Sequence, residues 1–320
     1  MIDNPNVGEN LQHHGYVPFS WEVADDEFSG DVLRNSETAR AAMAAYQTAK
    51  AGPLSGVPIV SAFMPLLDFP NIEMEVLLKK HLDSYEYKSF PSQKNQFAIL
   101  REILNNPHDA SGQYTVTPFR IVPRDGPSCK GIYGMGKEGN YMSIVSVLNH
   151  PFPREFVHIN STDPNVQPTV NPKYMSHLLD LELHGRHVQW LETLTATEPL
   201  ASLLKKDGHR IHADKKVEDL TTAKDIVEET FIFRYHVTGA CSMLPERLGG
   251  VVNERLLAYG VRNLRIVDAS IFPMIPRGNI QFSVYTVAEK AADVVKEDRM
   301  AAKTARTGCL RGGVGLALWK

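Results

Sequence analysis

Residues 235–243 read YHVTGACSM and residues 276–280 read PRGNI, and these two stretches form the densest group of candidate functional residues in the chain. The first ends an apolar run that favours a strand, and the second precedes a run of Val and Ala whose spacing of about 3.6 residues predicts a helix. A strand end and a helix N-terminus are places where fixed backbone donors meet exposed polar side chains. His236 and Asn279 are therefore candidate site residues.

Each candidate also has a simpler structural interpretation. His236 fits a buried structural histidine, Asn279 fits an N-cap, and Asp268 fits a turn or cap residue after an apolar run. Together these three residues also allow a functional interpretation, in which the imidazole accepts a hydroxyl proton while a helix N-terminus stabilises negative charge. The residues alone leave both interpretations open.

Composition places the chain among ordinary globular proteins. Its 320 residues are 43% hydrophobic and 22% charged, with a formal net charge of -3. No apolar run approaches the length of a membrane span, so we expect no membrane partner. Without a basic excess, we expect no nucleic-acid partner either, and small organic molecules fit better. Nothing in the sequence indicates an oligomeric state.

Three cysteines, Cys129, Cys241 and Cys309, are odd in number and far apart, so they outline neither a disulfide framework nor a zinc site. The N-terminus has no basic segment followed by an apolar one, so we expect no secretory signal and place the chain in the cytoplasm by default.

Pairs of histidines three positions apart occur at 184 and 187 and at 209 and 212. On a helix such a pair can share one face, which is one way to begin a metal site. No Glu stands as in His-Glu-x-x-His and no cysteine lies nearby, so we expect no bound metal. A Gly-x-Ser-x-Gly elbow is missing too, which argues against a serine hydrolase.

Hydrophobic periodicity predicts an α+β fold with a largely antiparallel sheet and flanking helices. We expect helices at 36–50, with Ser36 as a cap, at 93–104, after Ser176 through 194, and at 281–298. We expect strands at 57–66, 72–77, 114–122, 141–148, 156–160, 231–236 and 264–267. The basic, Gly-rich tail at 299–320 is expected to fray.

Four motifs occur in a fixed order in the last third of the chain. They are His-x-x-Gly-x-Cys-x-Met at 236–243, Gly-Gly-Val-Val-x-x-x-Leu at 249–256, Val-Asp-Ala-Ser at 267–270 and Glu-Lys-Ala-Ala-Asp at 289–293. This series resembles the C-terminal signature of the glucose-methanol-choline (GMC) oxidoreductases, especially fungal members. The stretches NPNVGENLQHH at 4–14 and HINSTDP at 158–164 resemble further motifs of the family, so the resemblance spans about 3–298.

The resemblance implies FAD as cofactor, a small-molecule alcohol as substrate and hydride transfer to the flavin. By position, His236 matches the catalytic base and Asn279 matches the second active-site residue of the family. Asp268, Ala269 and Ile280 match positions that contact FAD, largely through the backbone.

Two positions depart from the family pattern. His13 replaces the usual Asp of the N-terminal motif, and Ala240 replaces the usual Thr of the histidine motif. Both changes alter the hydrogen bonds that can form locally.

The family also carries a Gly-x-Gly-x-x-Gly fingerprint near its N-terminus, and we expect no such motif in this chain. The resemblance therefore implies a C-terminal half, with the end of the FAD-binding portion at 1–30, a substrate-binding domain at 31–230, a return to the FAD domain at 231–298 and an atypical tail at 299–320. We expect weak retention of FAD and an inactive chain on its own. The alternatives are a non-redox cyclase of fungal secondary metabolism on the same fold, and a catalytically silent fragment.

Overall fold

The computed structural model divides into two compact units. The smaller unit comprises residues 1–11, 156–170 and 237–320, and the larger unit comprises residues 12–155 and 171–236. Within them the structure describes residues 4–56, 59–66, 70–83, 85, 90–122, 129–133, 138–211 and 216–312.

The chain alternates strands and helices in an α+β arrangement. The strands are β1 (Gly15–Glu22), β2 (Val60–Met64), β3 (Gly112–Thr117), β4 (Tyr141–Leu148), β5 (Phe156–His158), β6 (Thr169–Asn171) and β7 (Ile232–Phe233). The helices are α1 (Ser36–Ala49), α2 (Asn71–Leu82), α3 (Gln93–Asn105), α4 (Cys129–Ile132), α5 (Leu178–Thr195), α6 (Leu200–Leu203), α7 (Leu220–Thr230) and α8 (Gln281–Gly312). None of the helices in the described residues is long and apolar enough to cross a membrane.

The larger unit is built on a five-stranded sheet in the order β2-β3-β4-β1-β7. Neighbouring strands are antiparallel, and Phe19 of β1 pairs with Ile144 of β4 at the centre of the sheet. Because side chains alternate along a strand, each strand presents one set of residues to each face.

One face of this sheet forms the main hydrophobic core. Val17, Phe19 and Trp21 of β1 join Tyr114 and Ile144 in a buried cluster. The same cluster contains Val188 and Leu191 of α5 together with Ala223, Ile226 and Val227 of α7. Burial of these apolar side chains is the main force that fixes the sheet beneath the two helices.

The opposite face of the sheet is mixed, because Val145 and Val147 of β4 join Ile121 and Ile132 in a second buried apolar cluster while β3 contributes polar side chains. Gln113, Thr115 and Thr117 of β3 are all buried, and they alternate with Tyr114 and Val116, which belong to the helix-covered core. Thr115 Oγ1 lies 3.1 Å from Ser61 Oγ of β2 and accepts a hydrogen bond from Gln113 Nε2. The α5/α7 face is therefore hydrophobic, whereas the other face combines an apolar cluster on β4 with hydrogen-bonding groups on β3.

The smaller unit brings distant motifs of the chain together. Gly8 donates to the carbonyl of Ala240 and accepts from the amide of Val157, and Asn10 Nδ2 donates to Ser242 Oγ at 2.8 Å. Gly8 has a φ of +89°, and a Cβ there would lie 2.0 Å from the carbonyl oxygen of Val157, so glycine is required. The N-terminal motif thus packs against the histidine motif and β5.

Several expectations from the sequence are confirmed. The α+β fold with an antiparallel sheet is present, β4 has the expected bounds, and the helix expected at 93–104 is α3. The helix expected at 36–50 is α1, but its cap is Asn35 and not Ser36, because Asn35 Oδ1 accepts from the amides of Glu37 and Thr38.

The strand expected at 72–77 was wrong, because this segment is part of α2. Ile72, Met74 and Val76 alternate with glutamates, which is a strand-like pattern. In the helix, Met74 and Leu77 are buried whereas Ile72 and Val76 are exposed, so the buried side follows helical spacing.

Other strands are shorter than expected. Residues 118–122 leave the sheet after β3, and only Ile232 and Phe233 of the run 231–236 pair with β1. The run 264–267 is not a strand, since its pairing among the described residues is a single bridge between Arg265 and Leu257. The tail does not fray at 299, because α8 continues to Gly312, and residues 313–320 lie outside the described part.

Acid is expected to destabilise the larger unit between about pH 6.5 and pH 4. Burial lowers the pKa of six of its described histidines to about 3 or 4: His13, His14, His177, His184, His187 and His236. Below about pH 6.5 the unfolded chain protonates these groups and the folded chain does not, so stability falls as the pH falls.

Two carboxyl groups have the opposite effect on how stability changes with pH. Burial raises the pKa of Glu155 to about 9 and that of Asp180 to about 8, so the folded chain retains these protons and gains stability as the pH falls. The six histidines outweigh them. Melting temperatures by circular dichroism should drop steeply from about pH 7 to about pH 5; a constant melting temperature over this interval would show that the imidazoles are not buried in neutral form.

Candidate active site

His236 lies at the end of the larger unit's edge strand, three residues after β7. Tyr235 has a φ of +59°, so the chain leaves the strand direction just before the histidine. The half-buried imidazole of His236 packs edge-on against His14, with ring centroids 5.3 Å apart and Nδ1 atoms 3.0 Å apart. A direct contact thus joins two rings that are 222 positions apart in the sequence.

The tautomer of His14 follows from its second partner. Its Nε2 lies 2.9 Å from the backbone oxygen of Asn149, which can only accept, so Nε2 carries a hydrogen. Burial lowers the pKa of His14 to about 3, and the ring is therefore neutral near pH 7. A neutral ring with a hydrogen on Nε2 has a lone pair on Nδ1.

This lone pair determines the tautomer of His236 in turn. Since His14 Nδ1 accepts, His236 Nδ1 must be the donor across the 3.0 Å contact. Burial first, and then the positive charge of Arg234 and the proximity of His13, lower the pKa of His236 to about 4, so this ring is also neutral. The lone pair of His236 is consequently on Nε2, where the ring can accept a proton.

His13, one of the two residues that depart from the family pattern, packs near His14 and His236 in the larger unit. Its Nδ1 lies 3.3 Å from the hydroxyl of Tyr174, and its ring packs against Phe233 with centroids 6.0 Å apart. Burial lowers the pKa of His13 to about 4. The imidazole therefore adds a neutral polar ring where a carboxylate would add a charge.

The other candidate residues lie in the smaller unit. Asp268 Oδ1 accepts from the amide of Ser270 at 2.7 Å and caps a short 3-10 helix at Ala269–Ile271. Asn279 is exposed and Ile280 is buried at the start of α8. Asp268 and Ala269 are thus placed together, as are Asn279 and Ile280, while His236 belongs to the larger unit.

These smaller-unit residues fit part of a site for an anionic, aromatic cofactor. The first amides of α8 have no acceptor within the helix and form its positive end. Phe282 and Tyr285 in its first turns are 83% and 64% exposed, which leaves apolar rings available to a partner surface. Backbone donors at a helix N-terminus can hold the negative charge of a diphosphate or of a reduced flavin.

One further pattern is not a dinucleotide fingerprint. The expectation that no Gly-x-Gly-x-x-Gly spacing occurs was wrong, because residues 134–139 read GMGKEG, of which 134–137 lie outside the described residues. A functional fingerprint follows a strand and opens a helix. Here the next element is strand β4, so the spacing does not indicate a phosphate site.

The histidine pairs considered for metal binding have structural partners. His184 Nε2 lies 3.2 Å from the oxygen of Ser146, and His187 contacts Ser111 and Tyr114, both at 2.9 Å. His212 of the second pair lies outside the described residues. Across the described part of the chain, no group of three His, Cys, Asp or Glu is arranged to hold a metal.

Two residues of this region were missed by sequence reasoning. His14 was noted only as part of a motif, and Arg234 was not singled out. The position of Arg234 two residues before His236 was a usable signal. Nothing local in the sequence indicates that His14 contacts His236.

Known proteins resemble this chain over most of its length. Residues 151–288 match the family described as GMC oxidoreductase. The chain is 34% identical over 301 residues to patulin synthase of Aspergillus clavatus, covering 91% of this chain and 43% of that protein. It is 28% identical over 302 residues to a dehydrogenase of Armillaria gallica, covering 93% and 45%. The chain thus spans about half the length of the curated relatives it matches.

Solved structures show the same fold. An FAD-dependent oxidoreductase from Chaetomium thermophilum superposes with a TM-score of 0.75 at 20% identity, covering 93% of this chain and 49% of that one. A fungal aryl-alcohol oxidase superposes with a TM-score of 0.71 at 22% identity, covering 93% and 49%. At these identities the likeness concerns the fold alone.

Proposed function

We propose that this chain, of which residues 151–288 match the family described as GMC oxidoreductase, is the substrate-oxidising portion of an FAD-dependent enzyme acting on the CH-OH group of a small alcohol. The observation that carries this proposal is the neutral His236, whose Nε2 lone pair is set by its contact with His14. FAD, when bound, would supply the acceptor for the hydride of the alcohol carbon.

In this proposal His236 Nε2 accepts the proton of the substrate hydroxyl. The hydrogen bond from His236 Nδ1 to His14 Nδ1 persists in both protonation states, because Nδ1 carries its hydrogen throughout. The ring therefore need not reorient when it gains the proton, which keeps the base in place during the reaction.

Asn279 is proposed to donate a hydrogen bond to the substrate oxygen. Its amide can orient a hydroxyl but cannot titrate, which leaves His236 as the single base. Asp268, Ala269 and Ile280 are proposed to contact FAD. The division into 1–30, 31–230, 231–298 and a tail at 299–320 likewise remains a proposal.

The chain expressed alone is expected to purify with well under one FAD per chain, because the Gly-rich segment that binds the diphosphate is not among its described elements. Visible absorbance of the purified protein measures this directly. As a matched control, the chain is fused behind the part of patulin synthase from Aspergillus clavatus that lies outside the matched 43% of that protein. This fusion, called the reconstituted protein below, is expected to be yellow.

Product analysis of the reconstituted protein tests the proposed reaction. An alcohol should yield its aldehyde or ketone with an equal amount of reduced acceptor. A product isomeric with the substrate would contradict alcohol oxidation. If the chain alone purified with one FAD per chain, this result would contradict the proposed need for a second segment.

A further inference from the structure

Arg234 is a half-buried cation without an acidic partner. Its Nη2 donates to Thr115 Oγ1 at 3.3 Å, and its Nη1 is buried with no hydrogen-bond partner. Among the described residues no carboxylate forms an ion pair with it. A buried charge costs free energy unless it is paired, so this guanidinium has unused capacity to bind an anion.

The guanidinium lies beside the polar side chains of β3. Thr115 points away from the α5/α7 core, because its neighbours Tyr114 and Val116 point into it. Two further oxygens on this side of β3, Gln113 Oε1 and Thr117 Oγ1, are also buried without a partner. These atoms can accept further hydrogen bonds, which water or a polar ligand would supply.

Arg234 is also close to the proposed base. Its backbone amide donates to the carbonyl of His14 at 2.9 Å, and its charge is the second largest cause that lowers the pKa of His236. An anion bound to Arg234 would therefore lie near His236 and within the larger unit. Arginine presents a planar fork that matches a carboxylate, and a single cation suits a single negative charge better than a phosphate.

We propose that Arg234 binds a carboxylate of the substrate, so that the oxidised alcohol is a hydroxy acid and not a neutral alcohol. This inference rests on the function proposed above and adds the substrate class. Thr115 orients the guanidinium through its hydroxyl, and in this proposal the Nη1 hydrogens, which have no partner within the chain, donate to the carboxylate once the substrate displaces the groups that cover them.

The first test is binding of benzoate to the 320-residue chain, measured by calorimetry near pH 7, where benzoate is fully ionised. The chain should bind benzoate and not benzyl alcohol. Arg234→Met should weaken benzoate binding at least tenfold, roughly the value of one charge-assisted hydrogen bond. Arg234→Lys, which keeps the charge, should retain part of the affinity and serves if the methionine variant does not fold.

The matched control is Arg101→Met, which removes an arginine paired with Asp83 at the surface of the same unit. It should leave benzoate binding unchanged. Equal affinity in the chain and in both Arg234 variants would overturn the proposal, and so would an equal loss in Arg101→Met, since that would indicate unspecific charge attraction.

A second readout is the NMR signal of the His236 ring near pH 7, where benzoate is ionised and the larger unit is stable. Benzoate should shift this signal, because the carboxylate offsets the repulsion that Arg234 exerts on the ring. In Arg234→Met the signal should not respond to benzoate. A response that persists in this variant would place the anion elsewhere and would contradict the proposal.

Turnover by the reconstituted protein distinguishes a failure of the Arg234 inference from a failure of the proposed alcohol oxidation. With both correct, 4-(hydroxymethyl)benzoate should have a kcat/KM at least tenfold above that of benzyl alcohol, and Arg234→Met should abolish the preference. If alcohol oxidation fails, neither compound reacts although benzoate still binds. If only the Arg234 inference fails, both react at similar rates and the variant changes nothing.

Discussion

Replacing His236 by alanine is expected to lower the rate of flavin reduction in the reconstituted protein by about 10²- to 10⁴-fold, the usual contribution of a positioned general base. The neutral imidazole with its lone pair on Nε2 is the proton acceptor in our account. Stopped-flow absorbance with saturating alcohol measures this rate. FAD content and melting temperature should be unaffected within error.

The matched control for this variant is His108→Ala, which removes an exposed histidine of the same unit. It should reduce flavin at the wild-type rate. If His236→Ala retained more than about a tenth of that rate, a loss far below what general-base catalysis contributes, His236 would not be the base.

Replacing His14 by leucine is expected to lower kcat roughly 10- to 100-fold with little change in KM, the value of one hydrogen bond to a group that becomes charged. Without the Nδ1 acceptor of His14, His236 is free to adopt the other tautomer and to rotate. His14 is thus a positioning residue, which acts on the substrate only through His236.

His14→Asn distinguishes this role from simple packing. The asparagine oxygen can accept from His236 Nδ1, as the imidazole nitrogen does, so this variant should recover most of the lost rate. The pH profile of kcat should also shift in His14→Leu and return in His14→Asn. If both variants were equally slow with unchanged pH profiles, His14 would have only a structural role.

The sequence predicts a helix or strand well only where the apolar residues of that segment follow a clear helical or strand spacing. The helix at 93–104 and strand β4 have clean patterns, so their bounds were predicted within a residue or two. In α2, glutamates happen to alternate with Ile72, Met74 and Val76, so a helix looked like a strand. β1 was missed because Gly15 and Pro18 interrupt the pattern of a strand that is central in the sheet.

The chemistry of the candidate site is only partly local in the sequence. The histidine motif identifies His236 because its spacing is specific. Its tautomer depends on His14, which is 222 positions away, and on a carbonyl of a third segment, Asn149. The unsatisfied guanidinium of Arg234 is likewise visible only once Thr115 and its neighbours are placed around it. Tertiary packing sets contacts of this kind, and hydrophobic periodicity in the sequence does not predict them.

Anaerobic mixing of the reconstituted protein with an alcohol tests the central claim most directly. Our account predicts that the visible absorbance of the flavin is lost completely, with one molecule of aldehyde or ketone formed per flavin, and that His236→Ala slows this loss at least a hundredfold. Conversion of the substrate while the flavin stays oxidised, or bleaching that proceeds equally fast in His236→Ala, would contradict it.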